Sequence, residues 1–237
     1  MSQTNYVNLQ VSDGTTMQAY IAQPTGSGTY PGLMLFQEAF GVNGHIKDLA
    51  ERFAKEGYVV IAPEFYHRSA PAGFSASYTD FPSVAPHMQA LTVPGMEADI
   101  HACWNWLQQN KLVQKDKIAC TGYCMGGRAS FLAKTILPFK AAVSYYGVRI
   151  APELVTRAAS LHAPMLFCWG GLDKHIPQEQ IDAVTNELKK ENKPYASIVF
   201  SYADHGFFCD AKAAYNPEAA KEAWALTLAF LKTKLTS

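Results

Sequence analysis

The stretch "KIACTGYCMGGRASFLAKTIL", residues 117–137, decides how this chain folds. Its first seven residues form an apolar, β-rich run, and "GGRASFLAKTIL" has the spacing of a helix. Between them, Gly122 on one side and Gly126 with Gly127 on the other enclose Cys124. Glycines this dense are unfavourable inside a regular element, so a sharp local turn must require them. The pattern Gly-x-Cys-x-Gly at a strand-to-helix turn has the form of a nucleophile elbow, with cysteine in the usual place of serine. In such a turn, side chains two positions before and after the nucleophile would collide where strand and helix come closest. The following helix points its N-terminus at the sulfur, which favours thiolate over thiol. The backbone N–H of Met125, beside the nucleophile, suits one half of an oxyanion hole. Taken alone, the stretch is equally compatible with a small buried cysteine in a tight packing spot.

Outward from this point, short apolar runs alternate with helical patterns. Leu33 to Phe36 reads as a buried strand. "IKDLAERFAKEGY" places Ile46, Leu49, Ala50 and Phe53 on one helical face and stops at Gly57, a C-cap signal. "YVVIAPEF" is a second continuous strand, and residues 67–94 read as a long loop with a short helix. After the helix "GMEADIHACWNWLQQN" and the opening stretch come the strands "KAAVSYYG" and "APMLFCWGG". The helix "PQEQIDAVTNELKKENK", the strand "YASIVFSY" and a final helix in "PEAAKEAWALTLAFLKTKL" complete the chain. Continuous apolar strands separated by helices indicate a mostly parallel sheet with helices on both faces. "YVNLQVSDG" and "TMQAYIAQP" alternate and meet at Asp13-Gly14, which predicts an antiparallel N-terminal edge. The expected fold class is α/β, as one domain over residues 1–237.

Bulk properties narrow the function classes. The chain has 237 residues, 49% hydrophobic and 17% charged, which suits one sizeable core. Twenty basic and twenty acidic residues leave no net charge, against a nucleic-acid binder. No apolar run approaches membrane-spanning length, so no membrane partner is expected. The N-terminus lacks a basic region followed by an apolar stretch, and a cytoplasmic location is expected. Five cysteines at irregular spacing do not read as a disulfide framework. Cys120 and Cys124 are not a CxxC pair and no His-x-x-x-His pattern exists, so neither metal nor other cofactor is expected.

Ligands of parallel sheets sit at the C-terminal ends of the strands. Four such ends carry reactive residue types: Glu38, Cys124, Asp173 and His205. Nucleophile, acid, histidine is the chain order of α/β-hydrolases. In that arrangement His205 takes the thiol proton and later activates water, while Asp173 fixes its tautomer and orientation. Asp204 competes as the acid, but adjacent side chains in a loop seldom face one another. His45 and His175 read as surface or capping residues.

The segments "FQEAFGVNGHIKDLAERFAKEGYVVIAPEFY", "GYCMGGR", "YYG", "GGLDKHIP", "HGF" and "YNPEAAKEAW" resemble the dienelactone hydrolase family of α/β-hydrolases, over nearly the whole chain. The resemblance implies a Cys124–His205–Asp173 triad that hydrolyses a lactone or ester through an acyl-cysteine intermediate. It implies that Glu38 gates the thiol. A carboxylate beside Cys124 opposes a second negative charge, so the thiol rests neutral until substrate repositions Glu38 to accept its proton. It also implies the N–H of Ala39 as a second oxyanion donor, and a monomer or weak dimer acting on a small molecule.

One part of the family pattern is missing. The arginines that hold a substrate carboxylate have no counterpart: the position after the histidine reads Cys209, and no arginine lies between Arg68 and Arg128. Arg68 matches a family residue near the site. Without paired guanidiniums, a dienelactone acid fits poorly. Phe40, Phe74, Tyr78, Tyr145 and Phe207 suggest a more apolar pocket, although each also suits a core, Tyr145 above all. A thioesterase, transacylase or peptidase with the same triad, or a non-catalytic thiol sensor, remain the competing readings.

Overall fold

The computed structural model describes residues 2–236 and divides into two compact units, Met1–Ile118 and Ala119–Ser237. In the first unit, strands β1 (Ser2–Gln10) and β2 (Thr16–Pro24) form the antiparallel hairpin expected from the sequence, with Leu9 opposite Met17. Its turn places Gly14 at φ +86°, and the Asp13 carboxylate accepts the Thr15 N–H at 3.1 Å. β2 pairs antiparallel with β4 (Val59–Pro63), and β4 pairs parallel with β3 (Tyr30–Phe36), so the strand order here is β1-β2-β4-β3.

Helix α1 (Gly44–Lys55) starts where the Asn43 side chain accepts the Ile46 N–H at 3.2 Å. It is followed by Gly57 at φ +91°. Its buried face is the one read from the sequence: Ile46, Leu49, Ala50 and Phe53 are fully buried. Each large apolar side chain of that face contributes roughly 1.5–3 kcal/mol. The segment expected to be mostly loop is more ordered than its prolines suggested. It contains α2 (Phe81–Ala90), and α3 (Val93–Gln109) begins within it. Pro82 and Pro94 lie in first turns, where a missing N–H costs nothing, and Asp80 and Thr92 cap the two starts.

The chain passes from the first unit into the second within β5 (Val113–Tyr123). In the second unit, β5, β6 (Ala141–Tyr145), β7 (Met165–Gly170) and β8 (Tyr195–Phe200) pair parallel in chain order. Helices α4 (Met125–Ile136), α5 (Gln178–Lys190) and α6 (Pro217–Thr236) separate or follow these strands. A short 3₁₀ helix, Val155–Ser160, was not anticipated from the sequence. β6 and β7 are buried along their whole length, as their unbroken apolar runs require. Among the described residues, no helix is long and apolar enough to cross a membrane.

Candidate active site

Cys124 follows the last residue of β5 and caps the start of α4, with φ 55° and ψ −116°. A non-glycine residue in this left-handed region stores strain on the order of 1–3 kcal/mol and needs its surroundings to hold it there. The Cys124 N–H donates to the Tyr145 carbonyl at 3.0 Å. Its own carbonyl accepts from Gly127 N–H at 2.9 Å and Arg128 N–H at 3.3 Å. The glycines serve the clearance expected of them. A Cβ on Gly122 would lie 2.1 Å from the Gly126 oxygen, and one on Gly127 would lie 2.6 Å from the Tyr145 oxygen. Cys124 is partly exposed, whereas Cys103, Cys120, Cys168 and Cys209 are all buried. Burial pushes the Cys103, Cys120 and Cys168 thiols up, so they stay protonated and inert.

His205 and Asp173 come together in the same unit. The His205 Nδ1 lies 2.7 Å from the Asp173 Oδ2 in the loop after β7, and Asp173 is buried. Its other carboxylate oxygen accepts the His175 N–H at 2.8 Å, which fixes the carboxylate plane. Asp204 takes another role: its side chain accepts the backbone N–H of His205 at 2.6 Å. Asp173, and not the sequence neighbour, therefore faces the imidazole.

Burial of the ring lowers the His205 pKa. The charge of Cys124 and hydrogen bonds to Asp173 and Cys124 outweigh that penalty and raise it from 6.5 to about 10. The direction favours the charged, imidazolium form of the ring. The stabilisation from the charged ring is complete below about pH 6.5 and is lost as the pH rises through about 10.

In the first unit, Glu38 is fully buried in the loop after β3. Its Oε2 accepts the Tyr78 hydroxyl at 2.7 Å. The loop is pinned on both sides of this carboxylate. The Gln37 Oε1 accepts the Phe65 N–H at 3.1 Å, and the Ala39 carbonyl accepts the Tyr66 hydroxyl at 2.8 Å. Phe40 packs edge-to-face on Tyr78 at 4.8 Å, and Phe74 joins the same apolar cluster. Gln37 and Tyr66 lie within the stretch that carries the family resemblance, but that resemblance gave neither of them a role.

Several pocket expectations need correction. The Arg68 guanidinium is spent on carboxylates: Nη1 and Nη2 donate to Asp99 at 2.9 and 2.8 Å, and Nε donates to Asp13 at 2.7 Å. It ties the β1–β2 turn to α3 and is committed to a structural clamp. Tyr145 is fully buried, with its hydroxyl 2.6 Å from the Thr227 Oγ1 and donating to the Ala223 carbonyl at 2.9 Å. Phe207 is equally buried against Tyr146 and Phe200, and Cys209 has no exposed surface. These three are core residues of the second unit. His45, read as a surface or capping residue, lies buried in the first turn of α1, whereas His175 is exposed with its ring centroid 5.1 Å from that of His205.

Comparison with known proteins places this geometry in context. A family model described as "Dienelactone hydrolase family" matches residues 17–235. A Synechocystis protein described as "Putative carboxymethylenebutenolidase" is 34% identical over 96% of this chain and 94% of its own length. The crystal structure of a "Putative Dienelactone Hydrolase" from Klebsiella pneumoniae superposes with a TM-score of 0.89 at 31% identity, covering 98% of this chain and 99% of that one. An acylaminoacyl peptidase from Pyrococcus horikoshii shares the fold alone, with a TM-score of 0.77 at 17% identity over 99% of this chain and 42% of its own.

Proposed function

Because the chain belongs to the dienelactone hydrolase family, whose members are lactone and ester hydrolases, we propose that it cleaves a small ester or lactone through an acyl-cysteine intermediate on Cys124. The observation that supports this most is the His205 ring, bonded to Asp173 and paired with a cysteine on a strained elbow. In this reading the Cys124 thiolate attacks the substrate carbonyl carbon, and the resulting oxyanion is met by the Met125 N–H at the start of α4. The imidazolium gives its proton to the leaving alkoxide as the C–O bond breaks. His205 then removes a proton from water, which attacks the thioester and releases the acid and the thiolate. Asp173 holds the ring orientation throughout.

The experiment is intact-protein mass spectrometry during turnover of p-nitrophenyl acetate. One acetyl group is expected on the enzyme, mapping to the peptide that contains Cys124, with a burst of nitrophenolate of the same stoichiometry. An acetyl group on any other residue overturns the assignment.

The family pattern assigns proton control to Glu38 and a second oxyanion contact to the Ala39 N–H, and the reading keeps both as proposals. Complete burial and the Tyr78 bond support a carboxylate held for a purpose. Glu38→Gln removes the charge that opposes a thiolate, so iodoacetamide should alkylate the resting enzyme several-fold faster at pH 7 while esterase turnover falls by about 10²-fold. Slower turnover with unchanged alkylation would reduce Glu38 to an anchor for Tyr78. The commitment of Arg68 to Asp13 and Asp99 supports an uncharged substrate over a carboxylate-bearing lactone.

A further inference from the structure

Immediately after β6 the backbone enters the left-handed region at Tyr146, φ +36°. Glycine adopts such a conformation at no steric cost, yet this position carries a large, fully buried aromatic ring. The backbone around it is tied to the elbow and to β7. The Tyr146 N–H donates to the Cys168 carbonyl at 2.8 Å, and the preceding Tyr145 carbonyl accepts the Cys124 N–H at 3.0 Å. The unusual φ therefore turns the Tyr146 side chain out of the strand alternation at the point where the elbow is braced.

The ring meets His205. Their centroids lie 5.1 Å apart at an interplanar angle of 62°, an edge-to-face arrangement. Phe207, at 5.3 Å and 72°, backs the tyrosine from another direction. In a T-shaped pair, an imidazolium whose edge meets the phenol face is attracted by the ring quadrupole, and more so where water is excluded. Within the second unit, the other titratable groups facing His205 are Asp173, Cys124 and His175, with Asp204 on its backbone N–H. Tyr146 adds an uncharged aromatic wall to this set.

We propose that Tyr146 is a positioning residue that holds the His205 ring in its cationic form and aimed at Cys124, its left-handed backbone being the device that presents the ring. The inference rests on the Cys124–His205–Asp173 reading above. Tyr146 is fully buried and acts through the imidazole it packs against.

The test is the titration midpoint of the His205 ring by NMR, assigned with His205→Gln, together with kcat and KM for p-nitrophenyl acetate. Tyr146→Phe keeps the ring face and should leave the midpoint unchanged. Tyr146→Leu should lower it by about one unit, a tenfold loss of proton affinity, with kcat down about tenfold and KM little altered. Because leucine also disturbs packing, a trifluorinated phenylalanine at position 146 gives a second arm. It keeps the ring shape and weakens the negative face, and should lower the midpoint relative to phenylalanine. A lower melting temperature with an unmoved midpoint in both arms would make Tyr146 a packing residue only and overturn the inference. The underlying reading is checked apart from this: Cys124→Ala should itself lower the His205 midpoint, and a midpoint indifferent to that change defeats the pairing and not the role of Tyr146 alone.

Discussion

Cys124→Ala is expected to lower the turnover of p-nitrophenyl acetate by on the order of 10⁴-fold or more, with no measurable change in melting temperature. The proposed reaction passes through one covalent intermediate, and the sulfur carries it. Removing a nucleophile leaves only the oxyanion contacts and binding, which act on a water molecule with no comparable reactivity. Stability should hold because the sulfur is partly exposed and alanine adopts the same strained φ at the same cost. Cys124→Ser separates geometry from acidity. It puts a hydroxyl where the thiol stood, but an alcohol does not ionise against His205, so the variant should stay well below wild type. Retention of more than a tenth of wild-type activity by the alanine variant, in protein cleared of wild-type contamination, would remove Cys124 from the mechanism.

Gly122→Ala should be the most damaging single methyl group in the chain. The added carbon would sit 2.1 Å from the Gly126 oxygen and 2.4 Å from its carbonyl carbon. Both atoms are backbone in the first turn of α4, so no side chain can swing aside. The cost exceeds the 1–3 kcal/mol usual for overpacking and reaches on the order of 4–5 kcal/mol. That is a large share of a typical stability of about 5–15 kcal/mol. A fall in melting temperature of about 10–20 °C, or failure to accumulate soluble protein, is expected. Gly14→Ala is the control. Gly14 has φ +86° but nothing within 4 Å of its missing Cβ, so only backbone strain is added and the fall should be a few degrees. Similar small shifts for both glycines would mean that strand and helix separate easily at the elbow, against the rigid turn described here.

Legibility from sequence followed the range of the interactions. The helical face of α1 and its stop at Gly57 were readable because side-chain period and C-cap chemistry act within a few residues. The Asp13-Gly14 turn was readable for the same reason. The short helix expected within residues 67–94 is α2, but its position and the early start of α3 were not readable, because Pro82 and Pro94 sit in first turns and Pro86 sits inside α2, and the three share a composition. The choice of Asp173 over Asp204 was legible as a rule about neighbours, and the two hydrogen bonds give it a physical basis.

What the sequence determined by itself was an α/β chain with a glycine-flanked strand-to-helix elbow at Cys124, and acid and histidine after later strands in hydrolase order. Those are local signals, each carried by a few adjacent residues. Tertiary structure alone decided the fate of Arg68, whose charge is consumed by Asp13 and Asp99, residues 55 and 31 positions away. It alone placed Phe207 in the core, and turned Tyr146 against His205. An aromatic or charged side chain reads the same in a sequence whether it lines a pocket, pairs a partner or fills a core. Only packing against residues distant in the chain selects among the three.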